Sequence, residues 1–168
     1  MSSSILIVMQ IIWHGESKIE IKTKSAVITT GDVVKINEVE LPGPGEYEVA
    51  GVEAFGIDKD IYLFKADDIH VVYLDSINRS LTDDEIERLS EVEVLIIPIG
   101  GDKVINSKQA SLIIKAVDPK IIIPVSYKDS KDFCADLGGC QDPVDDYRVL
   151  KAQLAIMEGQ NVILLNSK

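Results

Sequence analysis

Histidine is nearly absent: His14 and His70 are the only two in 168 residues. A dizinc hydrolase site draws several imidazoles together, because each is a neutral nitrogen donor suited to that metal. Two histidines this far apart in the chain do not complete one. Cysteine is equally scarce. Cys134 and Cys140 form no CxxC pair, which excludes a zinc ribbon. Their expected state is two reduced thiols, with a local disulfide across Leu137-Gly138-Gly139 as the other reading. Positive charge is also in short supply. Lys and Arg number 17 against 28 Asp and Glu, for a net charge of -11. Such a surface repels phosphate backbones and anionic membranes, so neither nucleic acid nor membrane is an expected partner. Lys103, Lys108, Lys115, Lys120 and Lys128 are scattered among acids rather than gathered in a run. No apolar stretch approaches a membrane span. Ile5 to Trp13 is apolar but short, and it lacks the basic flank and small-residue cleavage site of a signal peptide. The chain is read as cytoplasmic.

What the sequence does hold is enough apolar material, 46% of residues, for one well-packed domain over 1–168. The first half reads as strands. Ile5–Trp13 is a continuous apolar run, as in a strand buried on both faces. Lys18–Thr23 alternates, and Ala26–Thr30 and Asp32–Ile36 are short strands around Gly31. Pro42-Gly43-Pro44-Gly45 is a turn. Tyr47–Ile57, Ile61–Lys65 and Ile69–Leu74 follow with short connections, a spacing that predicts antiparallel meanders. The second half changes character. Thr82-Asp83-Asp84-Glu85 is a capping box opening a short helix. Val92–Ile97 is a buried strand ending at Pro98. Ala110, Ile113, Ile114 and Val117 mark one face of an amphipathic helix, capped by Asn106 or Ser107 and stopped at Pro119. Ile121–Val125 is the next buried strand, which completes a βαβ unit with an expected parallel, right-handed crossover. Ser130–Leu137 reads as a third helix ended by Gly138-Gly139. Tyr147–Leu150 and Val162–Leu165 close the chain as strands. The expected fold is α/β: two packed sheets with helices outside.

In such sheets, chemistry gathers beyond the carboxyl ends of strands. Four segments qualify: His14-Gly15-Glu16, Asp75-Ser76-Ile77-Asn78, Gly100-Gly101-Asp102 and Ser126-Tyr127-Lys128. If these turns share one edge, Glu16, Asp75 and Asp102 form an oxygen-donor set for a hard cation. Ser76 or Ser126 with His14 as base would be a nucleophilic alternative, but no G-x-S-x-G elbow surrounds either serine. His70 lies within a strand and reads as a packed or edge residue. Gly100-Gly101 before a helix offers a weak anion-binding signal, with Asp102 beside it opposing an anion. Pro42 to Glu48 reads as a rigid hairpin entry with Tyr47 packed and Glu46 and Glu48 exposed.

Several of these segments, in order, resemble the small metallo-β-lactamase-fold proteins. Gly43-Pro-Gly-Glu-Tyr-Glu-Val-Ala-Gly-Val52 resembles their GPGEYEV-x-GV segment. Leu81 to Gly101 is similar to their LTDEQ…VDVLLIPVGG stretch. Asp118 to Lys128 resembles NPKIVIPMHYK, and Trp13 to Ser17 resembles the WLGHSC turn. The resemblance implies a reduced αββα sandwich with its site at one sheet edge, and a zinc-dependent hydrolase where the ligands are kept. They are not kept here. The family's HxHxDH segment would lie between Ala26–Thr30 and the Pro42 turn, where residues 31–42 contain no histidine. The GHS histidine falls on Glu16, the LGD aspartate on Ser76 with Asp75 one place earlier, and the PMHYK histidine on Ser126. His14 falls on a non-ligand position. The expectation is therefore a member without catalytic zinc or other cofactor. It would serve in binding, regulation or assembly, with another copy or a different protein as partner. The rival is a metal-dependent hydrolase with an oxygen-rich site.

Overall fold

The computed structural model describes residues 8–168; the beginning of the Ile5–Trp13 strand lies outside them. Nine strands precede the first helix: β1 (Met9–Trp13), β2 (Ile19–Lys22), β3 (Val27–Thr29), β4 (Val34–Ile36), β5 (Val39–Leu41), β6 (Gly45–Val49), β7 (Val52–Asp58), β8 (Ile61–Ala66) and β9 (Ile69–Leu74). Then come α1 (Asp83–Arg88), β10 (Val94–Pro98), α2 (Ser107–Val117), β11 (Ile121–Val125), α3 (Lys131–Asp136), β12 (Tyr147–Val149), α4 (Lys151–Ile156) and β13 (Asn161–Val162).

The strands form two sheets. One has the order β12-β1-β2-β3-β4-β5 and the other β13-β11-β10-β9-β8-β7-β6. The first is antiparallel throughout, and β6 to β9 form an antiparallel meander, as the short connections predict. β9, β10, β11 and β13 run parallel, with α2 as the crossover between β10 and β11. The chain passes from the first sheet to the second at Pro42-Gly43-Pro44. The Tyr47 hydroxyl donates to the Gly43 carbonyl at 2.7 Å and pins this turn. Gly56 is obligatory beneath it, because a Cβ there would lie 2.7 Å from the Gly43 oxygen.

Strand periodicity sorts the core into two layers. Ile11, Ile21, Ile28, Phe64, Tyr73, Ile96 and Ile123 meet between the sheets. The next residues along the second sheet, including Val72, Leu95, Ile97 and Ile122, face Ile113, Ile114, Val117 and Phe133 from the helices. Residues of β10 and β11 serve both layers, which is why these strands read as unbroken apolar runs. The outward side chains of the first sheet are mostly polar, among them Gln10, Glu20, Lys22 and Lys35.

Local signals set the helix starts. Thr82 and Glu85 close a capping box on α1, and Asn106 and Gln109 close one on α2. Three expectations need correction, and two elements had no sequence expectation. Tyr47–Ile57 is not one strand: Ala50 and Gly51, both at positive φ, turn the chain between β6 and β7. β5 and α4 were not expected. β5 is a three-residue edge strand and α4 has no side-chain cap, so neither carries a strong local signature. The closing strand shrinks from Val162–Leu165 to Asn161–Val162. Finally, Cys134 and Cys140 are joined as a disulfide rather than standing as two thiols. The Gly138-Gly139 pair, both at positive φ, folds Cys140 back onto α3.

Candidate functional site

The turns after β1, β9, β10 and β11 do converge on one edge, and main-chain contacts hold three of them together. The Ser126 amide donates to the Glu16 carbonyl at 3.1 Å. The Trp13 indole donates to the same oxygen at 2.9 Å. Trp13 also stacks on Tyr127, with ring centroids 5.1 Å apart. Gly100 approaches Ser126 so closely that a Cβ would lie 2.1 Å from its carbonyl oxygen. No side chain fits there, so the glycine is required by close packing of the β10 and β11 turns.

On the other side of the edge, the Tyr73 hydroxyl lies 2.8 Å from the Ser17 carbonyl and 3.0 Å from Asp75 Oδ1. Thr30 donates to the same Ser17 carbonyl at 2.6 Å, and its hydroxyl accepts from the Ile19 amide. Burial pushes the Tyr73 hydroxyl well above the ordinary phenol range, and the Asp75 charge adds to it. Burial also raises the Asp75 carboxyl, although hydrogen bonds from Tyr73 and Ser76 oppose the shift. Tyr73, Ser17, Thr30 and Trp13 were missed in the sequence. The available signal was period two: Tyr73 and Asp75 leave their strand on the same side.

Three non-glycine residues at this edge adopt left-handed backbone: Glu16 at φ 49°, Ser76 at 48° and Ser126 at 54°. These are the positions on which the resemblance places three metal ligands. Such conformations are costly for L-residues, by roughly 1–2 kcal/mol each. The turns therefore keep a demanding shape at all three points.

The side chains at those points do not fit zinc. They offer one carboxylate and two hydroxyls, with no imidazole. His14 is exposed and contacts Glu20 at 3.1 Å. His70 sits on β9 opposite Lys65. Among the described residues, no group of three or more His, Cys, Asp or Glu is placed to hold a metal ion. Glu16, Asp75 and the exposed Asp102 are thus not assembled into the oxygen-donor set considered above. The Gly101 amide is also occupied, donating to the Ile105 carbonyl at 3.1 Å, which weakens the anion reading.

Two further features flank the edge. Arg79 donates to both oxygens of Glu85, at 2.8 and 2.9 Å, and to Asp60 at 2.9 Å. Its hydrogen bonds hold the Glu85 carboxyl down to about 2, against the opposing effect of burial. Glu85 also accepts from the Thr82 amide in the capping box, so this cluster is accounted for by structure. Beyond the β10 and β11 turns lies a cleft of about 520 Å³. Gly100, Asn106 and Lys108 line it together with Asp129, Asp132 and Asp136.

Comparison with known proteins agrees with this architecture. The sequence pattern of the family described as the beta-lactamase superfamily domain matches residues 4–126. A Thermotoga maritima protein described as a Zn-dependent hydrolase of the metallo-beta-lactamase superfamily superposes with a TM-score of 0.82. Its identity is 22%, over 94% of this chain and 98% of that one. A metallo hydrolase from the archaeon Ignicoccus hospitalis superposes with a TM-score of 0.61 at 12% identity, over 84% of this chain and 97% of that one. A Parabacteroides distasonis protein described as a metal-dependent hydrolase gives 0.62 at 11%, over 95% and 94%. No curated protein matches the sequence. At these identities the likeness is one of fold. No described helix is long and apolar enough to cross a membrane.

Proposed function

The chain belongs to the beta-lactamase superfamily, and from that premise we propose that it is a member without zinc catalysis, serving as a binding, regulatory or assembly module. One observation carries the reading. The backbone bends at Glu16, Ser76 and Ser126 persist, while the side chains there cannot supply the nitrogen donors that a zinc hydrolase needs. Trp13 stacks on Tyr127 and bonds the Glu16 carbonyl, so the turns at this edge are tied to one another by their own residues.

The assembly part draws on the surface. Val33 and Val39 are 45% and 47% exposed around the edge strand β5, and Leu112 is 67% exposed on α2. An open strand edge flanked by apolar side chains favours pairing with another chain. A second copy offers the same open edge, and apolar pairing there has to outweigh the mutual repulsion of two chains of net charge -11.

The test is elemental analysis of the full chain purified without chelator, together with its mass in solution by light scattering. The expected result is substoichiometric zinc and an oligomer. Stoichiometric zinc would overturn the non-catalytic reading. A strictly monomeric protein would overturn the assembly part alone.

A further inference from the structure

We propose that the Cys134–Cys140 disulfide is a reducible latch that holds α3 in place as one wall of the 520 Å³ cleft. The inference does not depend on whether the neighbouring site is catalytic.

α3 has little else to hold it. It is six residues long, and isolated helices of that length do not persist in water. Its N-cap, Ser130, makes no side-chain cap hydrogen bond, and the Lys131 amide instead donates to the exposed Asp129 carboxylate at 2.8 Å. Its last turn contains no basic residue, and Asp136 places negative charge at the negative end of the helix dipole. Phe133 is its one fully buried side chain, inserted among the helix-side core residues, with Cys134 and Leu137 only partly buried beside it. The segment that follows is no firmer. Gly138 and Gly139 both lie at positive φ with open space around them. Before β12 the chain makes one isolated bridge, Val144 to Leu165, beyond the ring. The covalent link from Cys140 to the middle of α3 closes this weak stretch into a small ring. Asp136, which lines the cleft, lies within that ring, and Asp132, which also lines it, lies two residues before the ring on the same helix.

Both sulfurs belong to half-buried residues rather than core ones, so the link is open to thiol exchange. A dithiol reductant supplies the two electrons. One of its thiolates attacks a sulfur of the pair, forming a mixed disulfide and releasing the other cysteine as a thiolate. Its second thiol then displaces the first cysteine and closes the reductant's own disulfide. The protein gains two electrons and two protons as two thiols. With the ring open, α3 is left with Phe133, the half-buried Leu137, its packing on α2 and the Asp129 cap, and the acidic wall of the cleft loosens. The core strands beside it keep their hydrogen bonds.

Hydrogen exchange on the full chain, oxidised and then treated with dithiothreitol, tests this. The Cys134, Leu137 and Gly139 amides, which bond to carbonyls of residues 130–134, should exchange at least tenfold faster after reduction. Amides of β10 and β11 should be unchanged. The Cys134→Ser/Cys140→Ser variant should behave like the reduced protein and ignore the reductant. Reoxidation with oxidised glutathione should restore protection in the wild type. Unchanged α3 exchange on reduction would overturn the proposal. So would loss of protection across the whole sheet, which would make the bond a global staple, or two free thiols in air-oxidised folded protein.

Discussion

The Tyr73 hydroxyl stands between the Ser17 carbonyl, at 2.8 Å, and the Asp75 carboxylate, at 3.0 Å. One side chain of the second sheet thus ties the β1–β2 turn of the first sheet to the end of β9. Tyr73→Phe should cost about 1–2 kcal/mol, the usual loss when a buried partner is left unpaired. It should also raise the Asp75 carboxyl further, because the Tyr73 hydrogen bond holds it down. Thermal denaturation measures the first effect and carboxyl NMR titration the second. An unchanged Asp75 titration would mean that this hydrogen bond does not form.

The two perturbed carboxyls give opposite pH signatures. Glu85 is held down to about 2. Its stabilising contribution is complete above the unfolded value of about 4.3 and is lost as pH falls towards 2. Asp75 is raised by burial, so its ionisation opposes folding. Its contribution is present at low pH and is lost as pH rises through the folded value. Glu85→Gln should cost about 1–3 kcal/mol at neutral pH through the weakened charge-assisted bonds to Arg79, and little near pH 2. Urea melts across that range would show the difference between wild type and variant narrowing in acid. A constant difference would refute the assignment.

Gly100→Ala should be among the most damaging small substitutions in the chain. Its Cβ would fall 2.1 Å from the Ser126 carbonyl oxygen, a main-chain atom with no rotamer to yield. Overpacking of this kind costs roughly 1–3 kcal/mol or more. A lowered melting temperature with perturbed amide shifts at Ser126 and Tyr127 is the expected result.

Ser126→Gly should act the other way. Ser126 has φ 54°, and glycine removes a left-handed penalty of roughly 1–2 kcal/mol. The extra freedom of the unfolded chain returns about 0.4–1 kcal/mol of that. A net gain between zero and about 1.6 kcal/mol should appear in denaturant melts. A clear loss would show that the serine side chain carries an unrecognised contact.

These predictions rest on features that the sequence disclosed unevenly. The buried strands β10 and β11 and the amphipathic face of α2 were legible, because an unbroken apolar run and a 3.6-residue period each leave a direct pattern. The capping boxes at Thr82 and Asn106 were legible for the same local reason. β5 was not, since a three-residue edge strand with two exposed positions buries too little to leave a pattern. Convergence of the turns at Glu16, Asp75, Gly100 and Ser126 was a reasonable expectation from topology. Glu16, Gly100 and Ser126 meet through main-chain atoms, which leave no mark on residue type except at Gly100, while Asp75 joins through its carboxylate and the Tyr73 hydroxyl. The Cys134–Cys140 pairing turned on how two glycines bend the chain, which composition does not encode.

The pairing of β1 with β12 has a consequence for how the protein is made. Met9 lies opposite Val149 and Ile11 opposite Tyr147, so an early strand waits for a late one. During synthesis the antiparallel meanders can form as they emerge, but the outer edge of β1 stays open until β12 arrives. Contacts so distant along the chain slow the final closure. An exposed, largely apolar strand during that interval is what folding helpers bind. The risk of aggregation is therefore greatest in the interval between the emergence of β1 and that of β12.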